Sequence, residues 1–245
     1  MHMENIIYGI HSVQEALNEK KDIDKILINM NLKNKFNDIA SNARQENIKV
    51  SYVPVQKFKK YDHLNHQGII AEISDIAYAD FEETIENALA HEEASTFLLL
   101  DGITDVRNLG AILRTAECTK VAAVIIPTQG SAKVNSQAIK TSAGAAYKLN
   151  ICKVNHLKDA IFYLQSSGVK LIGATEKAKQ NIFESDLSGS TAFVMGGEEK
   201  GIHHSLVKML DETAKIPLMG SINSLNVSVA CGMFLYENLK QKRTK

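Results

Sequence analysis

At 245 residues the chain is long enough for one large domain or two small ones, and 44% hydrophobic with 23% charged residues is enough apolar material for a packed core. The three cysteines, Cys118, Cys152 and Cys231, stand far apart with no CxxC spacing, which excludes a zinc ribbon and a disulfide framework and fits a reducing cytoplasm. No apolar run approaches the ~20 residues of a membrane span, and the formal net charge of zero conceals an uneven distribution along the chain.

Residues 1–75 hold 10 basic and 10 acidic side chains. Within them VQEAL and FNDIASNARQ carry helical spacing, while DKILIN, IKVSYV and GIIAEI have the apolar character of strands, so a small α/β domain is expected over 1–75. Its basic clusters, Lys20/Lys21/Lys25, Lys33/Lys35 and Lys57/Lys59/Lys60, are either phosphate grips or plain solvated faces. The next stretch, IAYADFEETIENALAHEEAS (76–95), holds six acidic residues and neither Lys nor Arg, and reads as a hinge or linker. Residues 96–245 then carry 18 basic against 12 acidic residues, a net charge of +6. That excess fits a polyanionic partner, and equally a solvated basic surface.

Beyond residue 95 the alternation of strand and helix is stronger. TFLLLDG, VAAVIIP, YKLNICKV, VKLIGAT, TAFVMGG and AKIPLMG are expected strands. NLGAILRTAECTK, VNSQAIKTSAGAA, HLKDAIFYLQSSG, HSLVKML and the closing LNVSVACGMFLYENLKQK are expected helices. Such alternation specifies a parallel sheet covered on both faces, with ligands at the carboxyl ends of its strands.

Three strand-end loops concentrate polar residues. In DVRNLGAILRTAE, Asn108 is a candidate cap for the helix that follows. Arg114, on an otherwise apolar helix, is expected to be buried and to need an anionic partner. In FVMGGEEKGI, Gly196 and Gly197 would let a ligand approach the backbone, and Glu198 is either a surface acid or the arginine's partner. In INSLNVSVA, Ser224 is a plausible helix cap. Asn226, set between apolar neighbours, is expected to face the core, where an unsatisfied amide costs about 1–3 kcal/mol. There is no P-loop and no GxGxxG, and the pairs His63/His66 and His203/His204 lack the companions of a metal site, so no metal is expected.

Taken in order, TDVRNLGAILRTAE, VMGGEEKGI and IPLMGSINSLNVSVACGMFLYE resemble the three motifs of the SpoU (TrmH-type) RNA ribose 2′-O-methyltransferases of the SPOUT superfamily, over about residues 96–240. Val106 stands where the family often has proline, which suggests a local loop change. IYGIHSVQEAL and NHQGIIAEI are similar to the L30e-like substrate-binding domain of bacterial members that modify a guanosine of large-subunit ribosomal RNA.

The resemblance implies an α/β architecture in which a SPOUT domain over 96–245, with a parallel sheet and a trefoil knot, follows the L30e-like domain. It implies S-adenosylmethionine as methyl donor, contacted by Thr175, Gly196, Gly197, Ile216 and Leu225. Asn108, Arg114, Glu198, Ser224 and Asn226 would be the catalytic set. Arg114 would orient the reacting hydroxyl and a neighbouring phosphate, and the other four would support it and the loops. The partners implied are RNA, as 23S ribosomal RNA or a ribosomal precursor, and a second copy of the chain in a homodimer; no membrane partner is implied. A transfer RNA substrate, or a catalytically silent RNA-binding or ribosome-assembly role, are the alternatives.

Overall fold

The computed structural model describes residues 5–243, and the chain divides between Ala77 and Tyr78 into two compact units. The first runs β1 (Ile6–Tyr8), α1 (Ile10–Asn18), β2 (Ile23–Asn29), α2 (Asn37–Gln45), β3 (Lys49–Val53) and β4 (Ile69–Ile73). The sheet order is β1-β4-β2-β3, with β4 antiparallel to β1 and β2, and β2 parallel to β3. Both faces of this sheet are covered. Ile26, Ile28, Ile69 and Ala71 meet Val13 and Leu17 of α1 and Ala40 and Ala43 of α2. The alternate residues Leu27 and Ile70 meet Phe58 and Tyr61 of the helical turns at 55–61. This two-sided burial is why the strands read as apolar runs and not as a period of two.

The second unit runs α3 (Phe81–His91), β5 (Thr96–Asp101), α4 (Val106–Cys118), β6 (Ala123–Pro127), α5 (Ser136–Thr141), β7 (Ile151–Val154), α6 (Leu157–Ser166), β8 (Lys170–Ala174), β9 (Gln180–Asn181), β10 (Thr191–Gly196), α7 (His204–Val207), β11 (Glu212–Lys215) and α8 (Val227–Arg243). Seven strands pair in the order β7-β6-β5-β10-β8-β11-β9, every pair parallel. Phe97, Leu99, Ile125, Leu171 and Val194 point to one face, under Ile85 of α3, Leu157, Ile161 and Leu164 of α6, and Leu206 of α7. Each such buried side chain contributes about 1.5–3 kcal/mol. On the opposite face Phe193 meets Phe234 of α8 edge to face, with ring centroids 5.6 Å apart. α4 packs against α8 and α5 against α4 in that layer.

Most of the stretch 76–95 is a helix packed into the second unit. Asp80 accepts a hydrogen bond from the Glu83 amide at 3.0 Å and caps α3. Ile85 is fully buried in the second unit's core, where Phe81, Ala88 and Leu89 pack against it. The acids occupy the solvent side of this helix, so the charge run marks an outer face. The strand expected over AKIPLMG ends at Lys215, ahead of Ile216–Pro217, because proline has no N–H for the ladder. Val106 is the first residue of α4, a position that also accommodates the family's proline. Of the three cysteines Cys118 is exposed, while Cys152 and Cys231 are buried. Burial pushes the Cys231 thiol up to about 12.

The strand order positions the site. From β5 the chain steps outward to β6 and β7, then crosses to β8 on the other side of β5, with β10 later filling the gap. The crevice of an open α/β sheet lies at such a reversal. Because β5, β10, β8 and β11 are consecutive parallel neighbours, the loops leaving their carboxyl ends (102–105, 197–203, 175–179 and 216–226) emerge together.

Candidate active site

The loop after β10 is locked to the end of β5. The Gly197 amide donates to the Asp101 carbonyl at 2.8 Å, the His203 amide to Asp101 Oδ2 at 2.6 Å, and the Gly201 amide back to the Gly197 carbonyl at 2.8 Å. A Cβ on Gly196 would stand 2.1 Å from the Gly201 carbonyl carbon, and one on Gly197 would stand 2.4 Å from the Gly102 carbonyl oxygen. The glycine pair is therefore required by the chain's own backbone, independently of any ligand.

Three of the polar residues singled out in the sequence meet on this frame. Asn108 Nδ2 donates to Glu198 Oε1 at 2.9 Å. Asn226 Nδ2 donates to the same Oε1 at 2.7 Å and to Asn108 Oδ1 at 3.0 Å. One carboxylate oxygen thus ties the start of α4, the loop after β10 and the start of α8. Hydrogen bonds to an ionised acceptor are stronger than neutral ones.

The capping assignments differ from those expected. Asp105, not Asn108, caps α4, accepting from the amides of Arg107 and Asn108 at 2.8 Å each. The amide of Asn108 is held by that cap and its side chain is released toward Glu198. Asn226, not Ser224, caps α8: its Oδ1 accepts from the Ser228 amide at 2.9 Å and the Ser228 hydroxyl at 2.6 Å. Nor does Asn226 face the core; it is exposed, as is Ser224.

Two cavities flank the cluster. The larger, about 810 Å³, is walled by Thr175, Gly196, Gly197, Glu198, Ile216, Ser224 and Leu225, among others, with Phe234 and Val227 behind. The smaller, about 400 Å³, is lined by Asp101, Thr104, Asp105, Asn108, Glu198 and Lys200. Residues Gly197–Gly201, His203 and Val227 belong to both walls. All five residues expected to hold a donor therefore border one cavity; of the amide–carboxylate cluster, Glu198 lies on both walls, Asn108 on the smaller cavity's wall, and Asn226 is tied to both by its hydrogen bonds.

Arg114 is the exception. It is exposed, lines neither cavity, and has no hydrogen-bond or ionic partner among the described residues. The expectation of a buried arginine paired with Glu198 fails for a geometric reason: six residues beyond Asn108 along a helix is a rotation of about 240°, so the two side chains leave different faces. Asp101, Asp105 and Ser228 were missed. An aspartate directly ahead of the first residue of the helical run was a readable signal for Asp105 as the cap.

Among the described residues no group of His, Cys, Asp or Glu could hold a metal ion, and no helix is long and apolar enough to cross a membrane. A cofactor-sized cavity with a polar cluster at its rim, at the reversal point of a parallel sheet, defines a small-molecule-dependent α/β protein.

Comparison with known proteins defines it further: the chain belongs to the SpoU rRNA methylase family, whose model matches residues 95–236. A second model, described as RNA 2′-O ribose methyltransferase substrate binding, matches 6–79. The chain is 36% identical over 97% of both lengths to the 23S rRNA (guanosine-2′-O-)-methyltransferase RlmB of Vibrio cholerae. It is 35% identical to a Staphylococcus aureus protein named as a putative TrmH family tRNA/rRNA methyltransferase, over 98% of this chain and 97% of that one. The fold is shared with the SpoU methyltransferase AviRb from Streptomyces viridochromogenes, at a TM-score of 0.62 and 20% identity, over 98% of this chain and 90% of that one. An AdoMet-bound rRNA methyltransferase from Sinorhizobium meliloti has a TM-score of 0.61 at 21% identity, over 96% of this chain and 86% of that one.

Proposed function

We propose that this chain transfers a methyl group from S-adenosylmethionine to a ribose 2′-hydroxyl of RNA, acting on a guanosine of 23S ribosomal RNA in the cytoplasm. The observation that carries the reading is the Asn108–Glu198–Asn226 cluster, whose Glu198 lies on the walls of both cavities.

The larger cavity suits the donor in size and chemistry. Its volume of about 810 Å³ lies within the usual range for cofactor sites. Apolar Ile216, Leu218, Leu225 and Phe234 offer contact to a planar base, and Thr175, Glu176 and Ser224 offer polar contacts. S-adenosylmethionine supplies, when bound, a methyl carbon activated by a sulfonium and leaves as a neutral thioether. The donor being activated already, the protein's task is alignment, which supplies about 7–11 kcal/mol in favourable cases.

Glu198 braces the site. Its Oε1 is spent on two amide donors, and Asn108 and Asn226 are in turn fixed by the starts of α4 and α8. Ser224 and Leu225 form the wall that continues into the Asn226 cap. Arg114 cannot serve as a base, because a guanidinium keeps its proton. It orients the hydroxyl beside an RNA phosphate that accepts the hydroxyl's hydrogen bond, and the proton passes to solvent as the oxygen gains the methyl group.

We further propose a homodimer. Val229, Met233 and Tyr236 are exposed by 52%, 45% and 66%, and their spacing along α8 sets them on one stripe. Since Arg114 lies outside its own cavity walls, it acts on the partner's substrate across that interface. Transfer RNA is the second reading; the name of the staphylococcal relative gives both tRNA and rRNA.

The test uses the purified chain, tritium-labelled S-adenosylmethionine and transcripts of 23S ribosomal RNA and of transfer RNAs. Label in the ribosomal transcript, located by mass spectrometry to a ribose-methylated guanosine, is expected. Label only in transfer RNA selects the second reading, and label in neither overturns both.

A further inference from the structure

Of the basic clusters in the first unit, one brings two cations from separate elements to a single aromatic ring, Tyr52, whereas in the Lys57/Lys59/Lys60 cluster Lys60 stands 4.5 Å from the centroid of the adjacent Tyr61 ring. Tyr52 lies on β3, the edge strand of its sheet, and is half-buried. Lys33 Nζ stands 5.2 Å from its ring centroid and the Arg44 guanidinium carbon 5.8 Å. Arg44 also donates to the Tyr52 hydroxyl at 3.3 Å. Lys35, two residues after Lys33, has its ammonium 5.7 Å from the Phe36 ring. The cations come from separate elements, the helical turn at 30–36 and the last turn of α2. All three are exposed, and none has a carboxylate partner among the described residues. Two acids share α2 and its end: Asp38 in the first turn and Glu46 just past the last.

A lysine run on a solvated face needs no organising ring. Here a ring holds two unneutralised cations against one another's repulsion, through the attraction of its face for positive charge. Such an arrangement is preorganised for an anion that bridges both cations, and adjacent phosphates of a nucleic acid backbone meet that description. The cluster at Lys57, Lys59 and Lys60 belongs to the turns covering the opposite face of the sheet.

We infer that Lys33, Arg44 and Tyr52 form the phosphate grip by which the first unit holds RNA. Lys33 and Arg44 contact backbone phosphates, and Tyr52 is a positioning residue that fixes the two cations. The inference rests on the reading that the chain acts on RNA, and it names the surface that reading leaves open.

The test measures binding of the full chain to a 23S ribosomal RNA transcript across a salt series. Losing two phosphate contacts lowers the slope of log affinity against log salt by about 1.4, and hence lowers affinity about 25-fold at 0.1 M relative to 1 M salt. K33Q/R44Q should show both effects, while K33R/R44K keeps the slope. Tyr52→Leu should lose about 2–5-fold in affinity at an unchanged slope, since the charges remain. K57Q/K59Q serves as the comparison on the opposite face. Thermal melting of each variant separates loss of contact from loss of fold. S-adenosylmethionine binding, followed by calorimetry, should match wild type in all four.

An unchanged slope for K33Q/R44Q, or an equal loss for K57Q/K59Q, overturns the grip while leaving the proposed reaction intact. A wild-type chain that neither binds nor methylates the transcript overturns both.

Discussion

Gly196→Ala adds a single methyl group and should disable the site. The new Cβ would lie 2.1 Å from both the Gly201 carbonyl carbon and the Ile202 amide nitrogen. Non-bonded carbons settle near 3.5 Å, so the 201–202 backbone must retreat by about 1.4 Å. It is not free to do so, because the neighbouring Gly201 and His203 amides hold it to Gly197 and Asp101. Overpacking of this kind costs about 1–3 kcal/mol, or about 4–8 °C of melting temperature at the mid-range value for a domain of this size. The displaced loop carries Glu198, and a misplacement near 1 Å lowers transfer about 100-fold. The assay pairs scanning calorimetry with methyl transfer to the 23S transcript. Gly189→Ala is the control, since a Cβ there meets nothing within 4 Å. Transfer within about threefold of wild type, with an unshifted melting temperature, would refute the claim that this contact fixes the loop.

Three more outcomes are expected. Arg114→Ala should bind S-adenosylmethionine normally by calorimetry while transfer falls at least about 100-fold; near-normal transfer removes Arg114 from the mechanism. Asn226→Asp keeps the acceptor for the Ser228 amide but sets a second carboxylate against Glu198. Denaturant titration should register a loss of about 1–2 kcal/mol at pH 7 that shrinks at pH 5 as the pair takes up a proton, and a loss independent of pH would contradict the pairing. Lys242 donates to the carbonyls of Ala94 and Ser95 and to the Thr96 hydroxyl, and burial pulls its ammonium down to about 8. Because the folded value lies below that of the unfolded chain, the penalty is complete below about pH 8 and fades as pH rises toward 10.5. The melting temperature of wild type should therefore gain on that of Lys242→Met between pH 8 and pH 10, and a constant gap would count against a charged, desolvated Lys242.

The strands of the second unit were legible because parallel strands buried on both faces leave long apolar runs, as TFLLLD and AFVM do. The helix at 81–91 was hidden by its charge run, although Phe81, Ile85, Ala88 and Leu89 already carry a helical stripe. Neighbouring candidates for one cap, Asp105 against Asn108 or Ser224 against Asn226, differ only in where the helix starts, and element boundaries are the least determined feature of a sequence. The three polar loops could be listed from residue types alone. That Asn108 and Asn226, 118 positions apart, share one oxygen of Glu198 depends on strand order, which local pattern does not encode.

Because residues Gly197–Gly201 wall both cavities, the two chambers have a common partition of backbone. An occupant that shifts that partition from one side would alter the room on the other, and to that extent occupancy of the two chambers would be linked. Linkage is mutual: the factor by which an occupant of the large chamber changes affinity in the small one is the factor returned. A spent donor that holds the partition differently from a fresh one would reset the hold on RNA at each turnover, giving the protein a built-in means of letting go.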